Sequence, residues 1–217
     1  MARAAKTTRG EASMDVICRV CHAHLRPEFN YCPHCGSPTD PSGDRPLYVV
    51  EGLTNLFNVV FFESLLETEI SRATRYGHTL SVLVAEIDDL AELEAGYGYD
   101  ETSSLVRQIG ELIATAIRDP DTLAATNRVA ALGTQRFLVL LPETSEEGAF
   151  RAAEKIRTLI AGTPVAGPEG PLALSVSVGV ASTGNTEDNA NLMGRATQAL
   201  FIARAAGPGR IQVSAAL

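Results

Sequence analysis

The sequence predicts an α+β domain, with one antiparallel-rich central sheet flanked by helices and a small cysteine-bearing module ahead of it. Three observations carry that reading. From residue 51 onward, apolar residues recur alternately at helical and at strand spacing. Two short apolar runs, Val129 to Leu132 and Phe137 to Leu141, bracket Gly133-Thr134-Gln135-Arg136 at hairpin spacing. All four cysteines fall between Cys18 and Cys35.

The elements follow in order. Residues 56 to 76 place Leu56, Val59, Val60, Phe62, Leu65, Leu66, Ile70 and Ala73 at helical spacing; Asn58 or Thr54 caps the start and Gly77 the end. Leu80 to Ile87 reads as a buried strand, and Asp88 is placed to cap the helical stretch after it. A helix near 100 to 118 precedes the hairpin, which Pro142 closes. Thr144 and Glu147 make a capping box for a helix with Ala149, Ala152, Ala153, Ile156, Leu159 and Ile160 on its apolar face, and Gly162 ends it. Leu172 to Ala181 alternates as a strand with one dry side, residues 189 to 206 form a last helix, and Ile211 to Val213 a last strand. One sheet with helices returning across it is a ferredoxin-like arrangement.

A length of 217 residues, 45% hydrophobic and 20% charged, suits one full core plus a satellite. The net charge of -8 disfavours nucleic acid and anionic membranes as partners, because a field of that sign repels phosphate. No run approaches the roughly 18 apolar residues of a membrane helix, and no apolar signal-peptide centre stands at the start, so a cytoplasmic location is expected.

Cys18-Arg-Val-Cys21 and Cys32-Pro-His-Cys35 are two pairs, each with two residues between partners. Four thiolates so spaced close a tetrahedral Zn²⁺ site, with Gly36 letting the backbone fold under the second pair. A redox dithiol or two disulfides compete; doubled pairs in a chain with no export signal favour zinc. His22, His24 and His34 are alternative ligands in principle and exposed residues on the plainer reading. A closed four-sulfur site leaves no position for substrate, so the Zn²⁺ is expected to be structural. The expected organisation is a disordered basic tail at 1–14 carrying Arg3, Lys6 and Arg9, a zinc ribbon at 15–37, a linker at 38–50 and the large domain at 51–217.

Several segments of the large domain resemble one family, in order along the chain. Glu51-Gly-Leu53-Thr54-Asn-Leu56-Phe-Asn58, Ser71-Arg72-Ala73-Thr-Arg75-Tyr-Gly77, Leu140-Leu141-Pro142, Ala153-Glu154-Lys155-Ile156-Arg157, Ser175-Val-Ser177-Val-Gly179-Val-Ala181 and Ala199-Leu200-Phe201 are similar to the scaffold of the GGDEF domain of diguanylate cyclases. That resemblance implies a nucleotide-cyclase-like sheet. It also implies a bacterial signalling role, the family making cyclic di-GMP from two GTP molecules held with divalent metal on two facing domains.

The site positions depart from the family. Its Gly-Gly-Asp/Glu-Glu-Phe signature is here Gly133-Thr134-Gln135-Arg136-Phe137, without carboxylates and with one cation. A metal-binding Asp of the family falls on Glu86, while Asp88 keeps its place and is read equally as a helix cap. The phosphate-contacting Lys falls on Ala91, and the guanine-binding Asn and Asp on Glu94 and Ser103. Arg204 keeps a basic position, and Pro208-Gly209 replaces an Arg-Asn pair. The inhibitory, product-binding Arg-x-x-Asp falls on Ala124 to Asn127; Arg118-Asp-Pro-Asp121 has the letters about six residues too early and is read as coincidence. Tyr97 and Tyr99 are assigned to a protein contact.

These departures lead to the expectation of no catalytic and no cofactor-binding residues, and of a chain that is not an enzyme. It is read as a non-catalytic scaffold binding a protein of a bacterial signalling pathway through the ribbon and the GGDEF-like domain. GTP and cyclic di-GMP binding are disfavoured. The alternatives are a sensor of GTP or cyclic di-GMP without turnover, and a zinc-ribbon regulator that binds nucleic acid.

Overall fold

In the computed structural model, the described residues are 16–17, 24–25, 49–119, 121–126, 135–183 and 188–214. The chain divides into two units, Met1–Asp44 and Arg45–Leu217. In the first, β1 (Val16–Ile17) and β2 (His24–Leu25) pair antiparallel, Val16 opposite Leu25. Cys18, Cys21, Cys32 and Cys35, the 1–14 tail and most of the 38–50 linker lie outside the described residues.

The second unit opens on a turn. Both carboxylate oxygens of buried Glu51 accept from the chain just ahead, from Leu53 N at 2.8 Å and from Thr54 N and Oγ1 at 2.8 and 2.7 Å. The short strand β3 (Phe57–Asn58) leads into α1 (Val59–Tyr76), where Asn58 Oδ1 accepts from Phe61 N and Gly77 closes the helix at φ 68°. The central strand β4 (Ser81–Ile87) follows, then α2 (Leu90–Tyr97) and α3 (Tyr99–Ala116). Next come β5 (Thr122–Ala125), β6 (Arg136–Leu141), α4 (Glu146–Gly162) and the small hairpin of β7 (Val165–Gly167) and β8 (Gly170–Leu172). The unit finishes with β9 (Val176–Ser182), α5 (Asn189–Ala205) and β10 (Ile211–Val213).

The large sheet has six strands in the order β10-β9-β4-β6-β5-β3. Strand β4 is antiparallel to both neighbours, and each outer strand is parallel to the one it meets. Alternate residues of β4 therefore point into two cores. Leu83, Ala85 and Ile87 pack with α3 and α4; Val82 and Val84 pack with Phe62 and Leu66 of α1 and with Leu192, Ala196 and Leu200 of α5. The mixed α+β fold with helices on both sides of one sheet is as expected.

Four local expectations are corrected. The antiparallel partner of β6 is β5, Thr122 facing Leu140 and Ala125 facing Phe137, and the run from Val129 to Leu132 lies outside the described residues. Leu172 to Ala181 is split: Leu172 closes the β7–β8 hairpin, and β9 is buried along its whole length because helices cover both faces of the sheet. The N-cap of α4 is Ser145, whose Oγ accepts from Gly148 N at 3.3 Å; Thr144 instead donates to Pro142 O at 2.9 Å. Asp88 caps nothing: the N-cap position of α2 is Asp89, in the left-handed region at φ 54° without a side-chain cap bond.

Candidate functional site

The polar end of β4 gathers the altered residues on the α1/α5 side of the sheet. Glu86 follows Val84 by one strand period, and β6 sets Arg136 directly across from it. Glu86 is 2% exposed. Its Oε2 accepts from Arg136 Nε at 3.1 Å, and its Oε1 accepts from Arg204 of α5. Helix α5 brings Arg204 there because Gly179 on β9 has no side chain: a Cβ would stand 2.1 Å from Ala196 O and 2.3 Å from Leu200 N. The Arg136 guanidinium also lies over the ring of Phe201, 5.6 Å from its centroid.

Asp88, one period further on, is equally engaged. Its Oδ1 accepts from Ser177 Oγ at 2.7 Å, and its Oδ2 from Ser175 Oγ at 2.6 Å and from Gly209 N at 2.7 Å. Gly209 sits at φ 65°, so the Pro208-Gly209 pair turns an N–H toward the carboxylate. Asp88 thus ties the ends of β4 and β9 to the turn before β10.

The remaining positions scatter. Gln135 is fully buried and its amide donates to Thr126 O, so it turns into the protein rather than toward Glu86. Phe137 is buried in the α3/α4 core, where a Cβ on Gly110 would lie 3.3 Å from its ring. Gly133, Thr134 and Asn127 lie outside the described residues. Ala91 and Glu94 stand on α2 and Ser103 is buried on α3; Tyr97 ends α2 and Tyr99 begins α3 with its side chain exposed.

A second polar cluster stands at the head of β5. Ala124, assigned to the inhibitory position, is fully buried in β5 and cannot receive a ligand. Arg118 and Asp121 fill the turn between α3 and β5. Asp121 accepts twice from the Arg118 guanidinium, Nε to Oδ2 at 3.2 Å and Nη2 to Oδ1 at 2.8 Å, and once from Arg118 N at 3.0 Å. Arg118 Nη2 also reaches Thr144 Oγ1 at 2.8 Å. The hydrogen bonds that Arg118 donates to Asp121, then the charge of Asp121, push the Arg118 pKa above the ordinary arginine value. The Asp121 side chain is 3% exposed and that of Arg118 58%, so a buried carboxylate holds a cation presented to solvent. In sequence, residues 126–135 separate the end of β5 from the start of β6. Arg118-Asp-Pro-Asp121 directly precedes β5, the strand that pairs with β6.

The fold and this strand-end site define a nucleotide-cyclase-like signalling domain. The chain belongs to the GGDEF family: the family model described as diguanylate cyclase, GGDEF domain, matches residues 49–210. It is 30% identical over 162 residues to diguanylate cyclase DosC of Escherichia coli K12, covering 74% of this chain and 34% of DosC. It is 29% identical over 173 residues to the response regulator PleD of Caulobacter vibrioides, covering 78% of this chain and 37% of PleD. The chain thus spans about a third of the length of these relatives. Among solved structures, the GGDEF domain of PA1120 from Pseudomonas aeruginosa matches with a TM-score of 0.69 and 26% identity, over 76% of this chain and 94% of that one. The GGDEF domain of DgcB from Caulobacter crescentus, solved in complex with c-di-GMP, shares the fold at a TM-score of 0.70 and 23% identity, over 78% and 97% of the two chains.

Membership corrects the expectation of a chain that is not an enzyme. The matching family model is that of diguanylate cyclases, DosC carries that name, and the family is catalytic. Among the described residues no helix is long and apolar enough to cross a membrane.

Proposed function

We propose that this chain is a GGDEF-family signalling domain that receives cyclic di-GMP at the Arg118–Asp121 corner. The observation carrying the reading is the position of that corner at the head of the strand paired with β6, with a solvent-facing guanidinium already oriented by Asp121 and Thr144. A fork held this way pairs with a phosphate diester at little cost in side-chain entropy. The complex of DgcB, a protein of the same fold, with c-di-GMP supports it.

Calorimetric titration of the zinc-loaded chain with cyclic di-GMP tests the reading. Saturable binding is expected, weakened about tenfold or more by Arg118→Ala, the loss of one charge-assisted contact. Heat absent from the wild type, or undiminished by that substitution, would refute it.

The ribbon belongs to the same proposal: Cys18, Cys21, Cys32 and Cys35 hold one structural Zn²⁺, and the module engages a protein partner or sets location. The pairing of β1 with β2 on either side of the Cys18–Cys21 segment supports this. A protein contact on the larger domain is favoured by Phe201 and Ile202, large apolar side chains that α5 leaves exposed.

A further inference from the structure

We infer that Arg136 and Arg204 stand in the place of a divalent cation, so that the strand end of this chain binds no Mg²⁺ or Mn²⁺. The family's use of divalent metal requires carboxylate oxygens free to coordinate it. The residues present do not fit that requirement. Both oxygens of Glu86 are taken by guanidinium groups, one from the facing strand and one from α5. Both oxygens of Asp88 are taken by two serine hydroxyls and a backbone N–H. The neighbouring signature position supplies no replacement, since Gln135 is buried and bonded to Thr126.

Charge argues the same way. Two carboxylates and two guanidiniums sum to zero before any metal arrives, and an incoming dication would lie against two fixed cations. The guanidinium does for Glu86 what a metal would do: it neutralises a nearly fully buried carboxylate and fixes its orientation. It differs in being covalently attached, so its occupancy is independent of metal concentration. This inference is separate from the Arg118 corner and stands or falls without it.

Electron paramagnetic resonance of Mn²⁺ added to the zinc-loaded chain, with thermal melting in parallel, provides the test. For the wild type, Mn²⁺ is expected to stay free and neither Mn²⁺ nor Mg²⁺ to move the melting temperature. Arg136→Glu removes one guanidinium and adds a carboxylate, and should bind Mn²⁺ about tenfold or more tighter, with a melting temperature that rises with Mn²⁺. Adding Glu86→Gln should abolish the gain. Should Arg136→Glu fail to fold, Arg136→Gln carries the same arm by releasing one oxygen of Glu86. Wild-type Mn²⁺ binding that Glu86→Gln removes, or a folded Arg136 variant that gains none, would overturn the inference.

Discussion

Asp88 concentrates more structural consequence than any other carboxylate at the site. Its oxygens satisfy three donors from two segments distant in sequence, and all three lose their partner if the side chain is cut back. Asp88→Ala is expected to cost about 1–2 kcal/mol, since the buried Ser177 hydroxyl is left unpaired while the half-buried Ser175 and Gly209 donors can turn to water. Urea denaturation measures this, and Asp88→Asn should lose less because it keeps one acceptor. The sequence reading of Asp88 as a helix cap failed for a definite reason. A carboxylate after a strand and before a helix is a common cap pattern, while its real partners, Ser175, Ser177 and Gly209, lie about 90 to 120 residues away. Glu86 was legible as a residue near the end of β4. Its pairing with Arg204 was not, because that contact depends on how α5 crosses the sheet.

Among the elements, α5 and β9 define how closely the second layer approaches. Gly179→Ala would drive a methyl into the α5 backbone at Ala196 and Leu200, and should cost about 3 kcal/mol or more. Gly194 supplies a control on the same helix. A Cβ there meets nothing within 4 Å, and Gly194→Ala should stabilise by about 0.5–1 kcal/mol. Both changes are read by chemical denaturation, and the opposite signs separate crowding from backbone entropy. Long amphipathic helices were readable: α1 with its Asn58 cap and Gly77 stop, α3 and α4 lie within a few residues of expectation, as does the short strand β10. The first hairpin strand was misplaced because Val129 to Leu132 and Thr122 to Ala125 are both short apolar runs. Only pairing with β6 selects between them. That one choice also set how far Arg118 and Asp121 were counted from the hairpin.

At the scale of the molecule, family membership was legible because many scaffold segments recur in order, whereas the chemistry was not, because it rests on a few side chains brought together by the sheet. The acidic balance of -8 keeps nonspecific phosphate affinity low, so the proposed binding of cyclic di-GMP rests on local geometry. Its binding should weaken only modestly between low and physiological salt, in contrast to a basic nucleic-acid binder, and titrations at two salt concentrations check this. The proposed ribbon makes a separate prediction: one zinc per chain by elemental analysis, with a chelator releasing it and unfolding the 15–37 module.

The most direct test of the Arg118 corner locates the ligand rather than only detecting it. Nitrogen-15 spectra of the arginine Nε–H groups, assigned by substitution, would be followed as cyclic di-GMP is added to the zinc-loaded chain. The account predicts that the Arg118 signal moves saturably while those of Arg136 and Arg204, held on Glu86, stay in place. Movement of Arg136 and Arg204 with Arg118 unchanged would contradict it.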